Sequence, residues 1–257
     1  LWSNHVYIDI FIISQSIVAI SAICLWLISS DVLRVKVANA ITTKKLFEAS
    51  FPVVVSSSIA LIMSWTDVVM LGAFRTEVEV GVYSIAIKLA TFTSIALVAV
   101  NSIAAPKIAQ LYGKKELDDL KQTINQATKW IFMISAPILI MCVLFSGSIM
   151  GVFGGDFEVG ATALIILAVA QFFNAISGPV GQVLNMTDNE KVLRNTALLA
   201  ALVNLVLNYI LIPLYGLNGA ALATGVSIVL WNFTCVLCVY RKMGIWVVYV
   251  PFCSRYL

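Results

Sequence analysis

Polar side chains standing inside long apolar runs are where this chain could do chemistry, because each is costly in hydrocarbon. Two charged residues stand clearly within those runs, Asp67 and Lys88. Either would cost about 2.5–3.5 kcal/mol at the middle of a membrane helix. They lie on consecutive runs, equidistant from a turn centred between Glu77 and Val78, so they are expected at matched depth. If their faces meet, they can pair and staple two helices. Alternatively, the two charges serve transport. Amides form a second group. Gln171, Asn174, Gly178, Gly181, Gln182 and Asn185 fall within about 100° on a 3.6-residue helix. Pro179, in the middle of that stretch, must free a backbone carbonyl that a neighbour or water has to satisfy. A kinked helix lining a wet cavity explains the amides better than plain packing does. Asn204 and Asn208 sit on a further face with Ala197, Ala200 and Ala201. There, and in the run opened by Gly219, Ala220, Ala221, Ala223 and Gly225, small residues permit close helix packing.

Other chemistries are poorly supplied. The one histidine, His5, excludes any histidine pair and leaves serine proteolysis without its usual base. Intramembrane aspartyl proteolysis needs two aspartates, and the only other aspartate within an expected span is Asp9, in a different helix. Cys235 and Cys238 form a C-x-x-C, but no second ligand pair accompanies it, so they read as packing or lipid-facing cysteines. No catalytic residue, metal site or cofactor is expected.

The elements that must hold these residues follow from composition. Of 257 residues, 61% are apolar and 11% charged, too few charges to cover a soluble surface. A net charge of +3 is too small and dispersed for nucleic-acid binding. Runs of about 20 apolar residues, the length a bilayer requires, predict seven spans. They are Tyr7–Ser29, Leu46–Gly72, Val82–Ala105, Trp130–Gly151, Ala161–Leu184, Asn195–Leu214 and Gly219–Tyr240. Alternate loops and the tail hold 13 of the 16 basic residues, and the opposite loops hold only Arg75. The basic side is therefore expected to be cytoplasmic, with the amino terminus outside. The closing apolar stretch Ile245–Phe252 is too short to span and is expected at the interface.

Several stretches together resemble the second half of polysaccharide flippases of the multidrug/oligosaccharidyl-lipid/polysaccharide exporter superfamily. They are Asp67-Val-Val-Met70-Leu71-Gly72, Val80-Gly81-Val82-Tyr83 with Ala86-Ile-Lys88, and Pro106-Lys107 to Tyr112. Further along come Gln171-Phe-Phe-Asn174 to Thr187 and Asn204 to Ala221. The resemblance covers roughly Lys44 to Lys242 and is carried by the order and spacing of these stretches.

This resemblance implies an all-α, multi-pass protein of the cytoplasmic membrane of a bacterium. Residues 1–30 would be the last helix of a missing amino-terminal lobe and 31–45 a cytoplasmic linker. Residues 46–242 would be a six-helix carboxy-terminal lobe, and 243–257 an interfacial tail. The implied activity is translocation of a lipid-linked oligosaccharide, such as an undecaprenyl-diphosphate-bound O-antigen or capsule unit, between leaflets. The implied partners are that substrate, membrane lipids, the missing lobe and polysaccharide-assembly proteins, with no nucleic acid. Lys88 would meet the diphosphate, while Asp67, Gln171, Asn174, Gln182, Asn185, Asn204 and Asn208 line a cavity. The alternatives are a cation-coupled multidrug exporter, which keeps acidic residues in its cavity, and a peptidoglycan-precursor flippase, where more arginine is expected. A single lobe has one wall of the cavity and is not expected to transport alone.

Overall fold

The computed structural model describes residues 65–187 and 189–248, together with positions 14, 16–18, 20 and 21. The chain divides into two compact units, Leu1–Val54 and Val55–Leu257. In the first, the described positions are helical, and Ser21 Oγ donates to the Val18 carbonyl at 2.9 Å. Most of the expected span Tyr7–Ser29, the linker 31–45, the span Leu46–Gly72 up to residue 64, and the tail beyond residue 248 lie outside the described residues.

Among its described residues the second unit is helical apart from short turns and the stretch 244–248, and contains no strand. α1 is Trp65–Phe74, α2 Glu77–Thr91, α3 Ile95–Gly113 and α4 Leu117–Leu144. A short α5, Ser146–Gly151, precedes α6, Ala161–Ile176. α7 is Val180–Met186, α8 Glu190–Tyr215 and α9 Leu217–Met243. Five stretches are long and apolar enough to cross a membrane: Glu77–Gly113, Leu117–Leu144, Gly155–Ile176, Lys191–Tyr215 and Leu217–Met243. The physical cause is general: in hydrocarbon a segment must satisfy its own backbone polar groups, and the α-helix does so within itself.

Element boundaries depart from the sequence expectation in several places. The segment after Ala105, expected as a polar connector, continues as α3 through Pro106 to Gly113. Pro106 is exposed, and α3 and α4 meet in a tight corner where Lys115 takes a left-handed φ of 61°. In the middle of the third span, α2 gives way to a 3₁₀ turn, Phe92–Ser94. Thr91 Oγ1 donates to the Lys88 carbonyl at 2.6 Å and Ser94 Oγ to the Thr91 carbonyl at 3.1 Å, competing locally with the α-helical ladder. Beyond α9 the stretch 244–248 is non-helical and packs partly against the bundle. After Gly244, Ile245 and Val247 are buried in the core while Trp246 stands outside, edge-on to Tyr240 at 5.7 Å.

The apolar core falls into clusters along the bundle. Near the end carrying Lys114, Lys191, Arg241 and Lys242, here the basic end, Ile108, Leu120, Ile124, Leu184, Cys235 and Val239 pack with Ile245 and Val247. Near the opposite end, Leu71, Tyr83, Met150, Leu164, Leu167, Ile212 and Ala220 form the other main cluster. There Arg75 closes the end of α8, its Nε and one terminal nitrogen donating to the Ile212 carbonyl at 3.2 Å and the latter also to the Pro213 carbonyl at 2.8 Å. These carbonyls belong to the last turn, where a helix leaves acceptors unsatisfied and favours a cation.

α8 and α9 form a hairpin whose backbones approach closely at Gly219. A Cβ there would strike the backbone of Leu211 and Ile212, which no side-chain rotation can relieve. Gly219→Ala is therefore expected to cost about 1–3 kcal/mol by overpacking. Thermal unfolding in detergent should show a clear loss of stability for this variant. Gly113→Ala, where a Cβ meets nothing within 4 Å, is the control and should melt like the parent. Equal melting of the two variants would refute the close-approach argument.

Candidate functional site

The polar side chains gather in two places. The first lies toward the end opposite the basic one. Asp67 on α1 is buried, 5% exposed, and receives hydrogen bonds from three helices. Tyr83 on α2 donates its hydroxyl to Oδ2 at 3.0 Å, and Thr224 on α9 donates to the same oxygen. Asn208 on α8, fully buried, donates Nδ2 to Oδ1 at 2.5 Å and to Asn204 Oδ1 at 3.0 Å. Asn204 Nδ2 reaches Thr224 Oγ1 at 3.4 Å, closing the network. Among the described residues, Asn208 Oδ1 has no hydrogen-bond partner.

The sequence expectation that Asp67 could face Lys88 is corrected here. α1 ends at Phe74, and α2 begins at Glu77 after an N-cap in which Thr76 Oγ1 accepts from Glu79 N at 3.4 Å. The turn is thus centred on Arg75 and Thr76, two residues earlier than expected. Equal counts on either side bring Asp67 level with Tyr83 and Ser84, while Lys88 stands more than a turn further along α2. Lys88 is exposed and makes no ion pair with a described residue, whereas both oxygens of Asp67 are taken by neutral donors.

The second place is a cavity of about 260 Å³ toward the basic end. Its walls come from α3 (Leu97, Asn101), the α6–α7 region (Asn174, Gly178, Val180, Gly181, Gln182, Asn185), α8 (Leu193) and α9 (Trp231, Asn232). The expected span Ala161–Leu184 is not one continuous helix. It breaks at Ser177-Gly178-Pro179, because proline disfavours helical backbone at the residue before it. Gly178 takes φ 69°, and a Cβ there would strike the Thr128 side chain, so the break packs its backbone directly on α4. The stripe survives the break in a different form. Asn174, Gln182 and Asn185 line the cavity from two helices, and Gln171 adjoins it, its Oε1 accepting from Asn174 Nδ2 at 3.4 Å. Asn204 and Asn208 belong to the other cluster.

Neither arrangement suits catalysis by metal. No group of three His, Cys, Asp or Glu side chains lies together among the described residues. The Asp67 cluster offers one carboxylate and neutral oxygens, a set suited to a proton or a hard monovalent cation and not to a transition metal. Of the C-x-x-C, Cys235 is buried beside Thr196 at 3.5 Å and Cys238 is half-buried, both as free thiols. Tyr83, Thr224, Asn101, Trp231 and Asn232 are site residues beyond those marked in the sequence. Asn101 and Asn232 carried the same signal as Asn174, an amide inside an apolar run, but neither has a second amide one turn away on its own helix.

Known proteins resemble the chain over most of its length. Over 203 residues it is 30% identical to a Haloferax volcanii protein named a probable low-salt glycan biosynthesis flippase, Agl15, covering 79% of this chain and 43% of that protein. It is 26% identical over 176 residues to a probable flippase, AglR, of the same organism, covering 67% of this chain and 37% of that one. With a Shigella flexneri protein carrying an O-antigen transporter name it shares 25% identity over 212 residues, 78% of this chain and 49% of that one. The chain thus spans less than half the length of these curated relatives. Among solved structures, the lipid II flippase MurJ in an inward closed conformation superposes with TM-score 0.65 at 17% identity, covering 75% of this chain and 42% of that one. A MOP superfamily transporter from Pyrococcus furiosus gives 0.63 at 18% identity, covering 79% and 46%. These last two likenesses concern the fold alone. The MatE family matches residues 52–210, well over half of the chain and including Asp67, Lys88, both halves of the broken amide stripe, Asn204 and Asn208. The chain is a multi-pass helical membrane protein that belongs to the MatE family.

Proposed function

We propose that this chain forms one lobe of a transporter that moves a lipid-linked oligosaccharide between the leaflets of the cytoplasmic membrane of a bacterium. The observation that carries this reading is the amide-lined, uncharged cavity held inside a helical membrane bundle. Amides are poor lipid-facing residues but good partners for sugar hydroxyls. The names of the glycan and O-antigen relatives support the same substrate class. The carrier would be undecaprenyl diphosphate, with its tail remaining in lipid. Exposed Lys88 would meet the diphosphate, and the amides of Gln171, Asn174, Gln182 and Asn185 would meet the sugars. Transport would proceed without covalent chemistry, by rocking against a second lobe, and would feed proteins of polysaccharide assembly. The Asp67 cluster favours coupling of that movement to an ion or proton, since it holds a chargeable group among neutral donors.

A host lacking its own O-antigen flippase tests this. Joining the chain to the amino-terminal half of the Shigella flexneri relative is expected to restore surface O-antigen, and the chain alone is not. A joined protein present in the membrane at normal amount that leaves the surface bare would refute the reading.

A further inference from the structure

The hydroxyl of Tyr83 joins the helix that carries Lys88 to the carboxylate of Asp67. We infer that Tyr83 is a positioning residue for Lys88: through this bond, the charge state of Asp67 sets where the Lys88 ammonium stands. The inference deepens the proposed function and rests on it, since there Lys88 meets the diphosphate and the Asp67 cluster couples movement to an ion or proton.

α2 is a short piece with a break at either end. The turn at Arg75 and Thr76 separates it from α1. The 3₁₀ turn Phe92–Ser94 separates it from α3, where the Thr91 and Ser94 hydroxyls compete for ladder carbonyls. Changes of backbone angle at a few element-terminal residues are how a segment swings as a unit.

Tyr83 is what holds that unit in register on its polar side. The buried residues of α2 are Val82, Tyr83, Ala86 and Ala90. Three of them are apolar, and apolar contacts in a membrane are nearly indifferent to a small slide or rotation. Tyr83, fully buried, donates its hydroxyl to Asp67 Oδ2 at 3.0 Å and lies 3.3 Å from Thr224 Oγ1. One side chain thus links α2 to both α1 and α9. A hydrogen bond to an ionised acceptor is about twice as strong as one between neutral groups. When Asp67 loses its charge to a proton or a cation, this link weakens and the apolar contacts do not.

Lys88 follows because it rides on the same piece. It stands five residues beyond Tyr83, about 7.5 Å along the axis and about 140° around it. Tyr83 therefore points into the bundle while Lys88 is exposed. A tilt of α2 released on the buried side moves the cation on the open side, although Asp67 and Lys88 never meet. Thr224 and Asn208, the other donors to Asp67, sit on α9 and α8 and carry no such cation.

A trifluoromethylphenylalanine incorporated at position 88 of the whole chain in nanodiscs reads this by fluorine NMR. Asp67→Asn, which cancels the charge and keeps the shape, should move the resonance by more than its linewidth. In Tyr83→Phe, which keeps the ring and loses the hydroxyl, adding Asp67→Asn should move it less than about a third as far. Thr224→Val removes a different donor from the same oxygen and leaves Tyr83 in place, so the response should persist there. A Tyr83 that serves stability alone would leave the response intact in folded Tyr83→Phe, and that result would overturn the inference. A resonance indifferent to Asp67→Asn, or a response lost in Thr224→Val, would do the same. Export in the joined two-lobe protein separates this inference from the reading beneath it. At normal membrane amount Tyr83→Phe should export about threefold less than the parent, the worth of one interhelical hydrogen bond. Export equal to the parent's would remove Tyr83 from the path and leave the flippase reading standing. If the resonance responds as expected while the parent exports nothing, the flippase reading falls and the link from Asp67 to position 88 remains.

Discussion

Asp67→Asn is expected to leave the protein folded and to reduce glycan export about tenfold or more in the two-lobe context, equivalent to about 1.4 kcal/mol of lost activation. The geometry separates shape from charge at this position. The carboxylate accepts from Tyr83, Thr224 and Asn208. An amide of the same shape keeps one acceptor, and the Tyr83 and Thr224 hydroxyls can rotate to accept from its N–H₂. Membrane amount should change less than about twofold, a difference under ~0.5 kcal/mol. Asp67→Leu instead strands three polar side chains. At about 0.6 kcal/mol per interhelical hydrogen bond in a membrane, it should destabilise by roughly 2 kcal/mol and lower both amount and export. If Asp67→Asn exports normally, the cluster only holds helices together and has no part in coupling.

Lys88→Ala is expected to reduce export by a similar factor, about tenfold, while leaving membrane amount unchanged or raised. An exposed ammonium in an apolar span costs about 2.5–3.5 kcal/mol unless it meets water or a ligand, so removing it does not weaken the bundle. Lys88→Arg should retain part of the activity, because the cation is kept. The double variant Asp67→Ala/Lys88→Ala should show no rescue over Lys88→Ala, since the two side chains do not neutralise each other. Full rescue, measured as surface glycan normalised to protein, would restore the ion-pair reading and remove Lys88 from the substrate path.

Much of the fold and part of the site are legible in the sequence. Spans show there because a membrane-crossing segment must be apolar along its whole length and helical to satisfy its backbone. Charges and amides within spans stand out for the same reason: each is an exception to that rule. Asp67, Asn174, Gln182, Asn204 and Asn208 are marked by it from residue type and position alone. The exceptions at Asn101 and Asn232 carry the signal singly, one per helix, so nothing along their own chain segment links them to the stripe.

What the tertiary structure alone decided is which exceptions meet. The turn at Arg75–Thr76 is two residues from where symmetry of the apolar runs placed it, and that shift exchanges Lys88 for Tyr83 opposite Asp67. Likewise Pro179 is visible in the sequence as a kink, but the left-handed backbone at Gly178, packed on Thr128, turns one stripe into two walls of a cavity. Thr224 and Trp231 lie seven residues apart on α9, one in each polar site, and their helix gives no local sign of either role. Hydrophobic patterning specifies that a helix crosses and roughly where. It is nearly indifferent to a rotation or a slide of a few ångströms, because lipid and apolar neighbours are similar surroundings for an apolar side chain. Register is set instead by close contacts between backbones, as at Gly219, and by buried hydrogen bonds between helices, and those involve residues far apart in sequence.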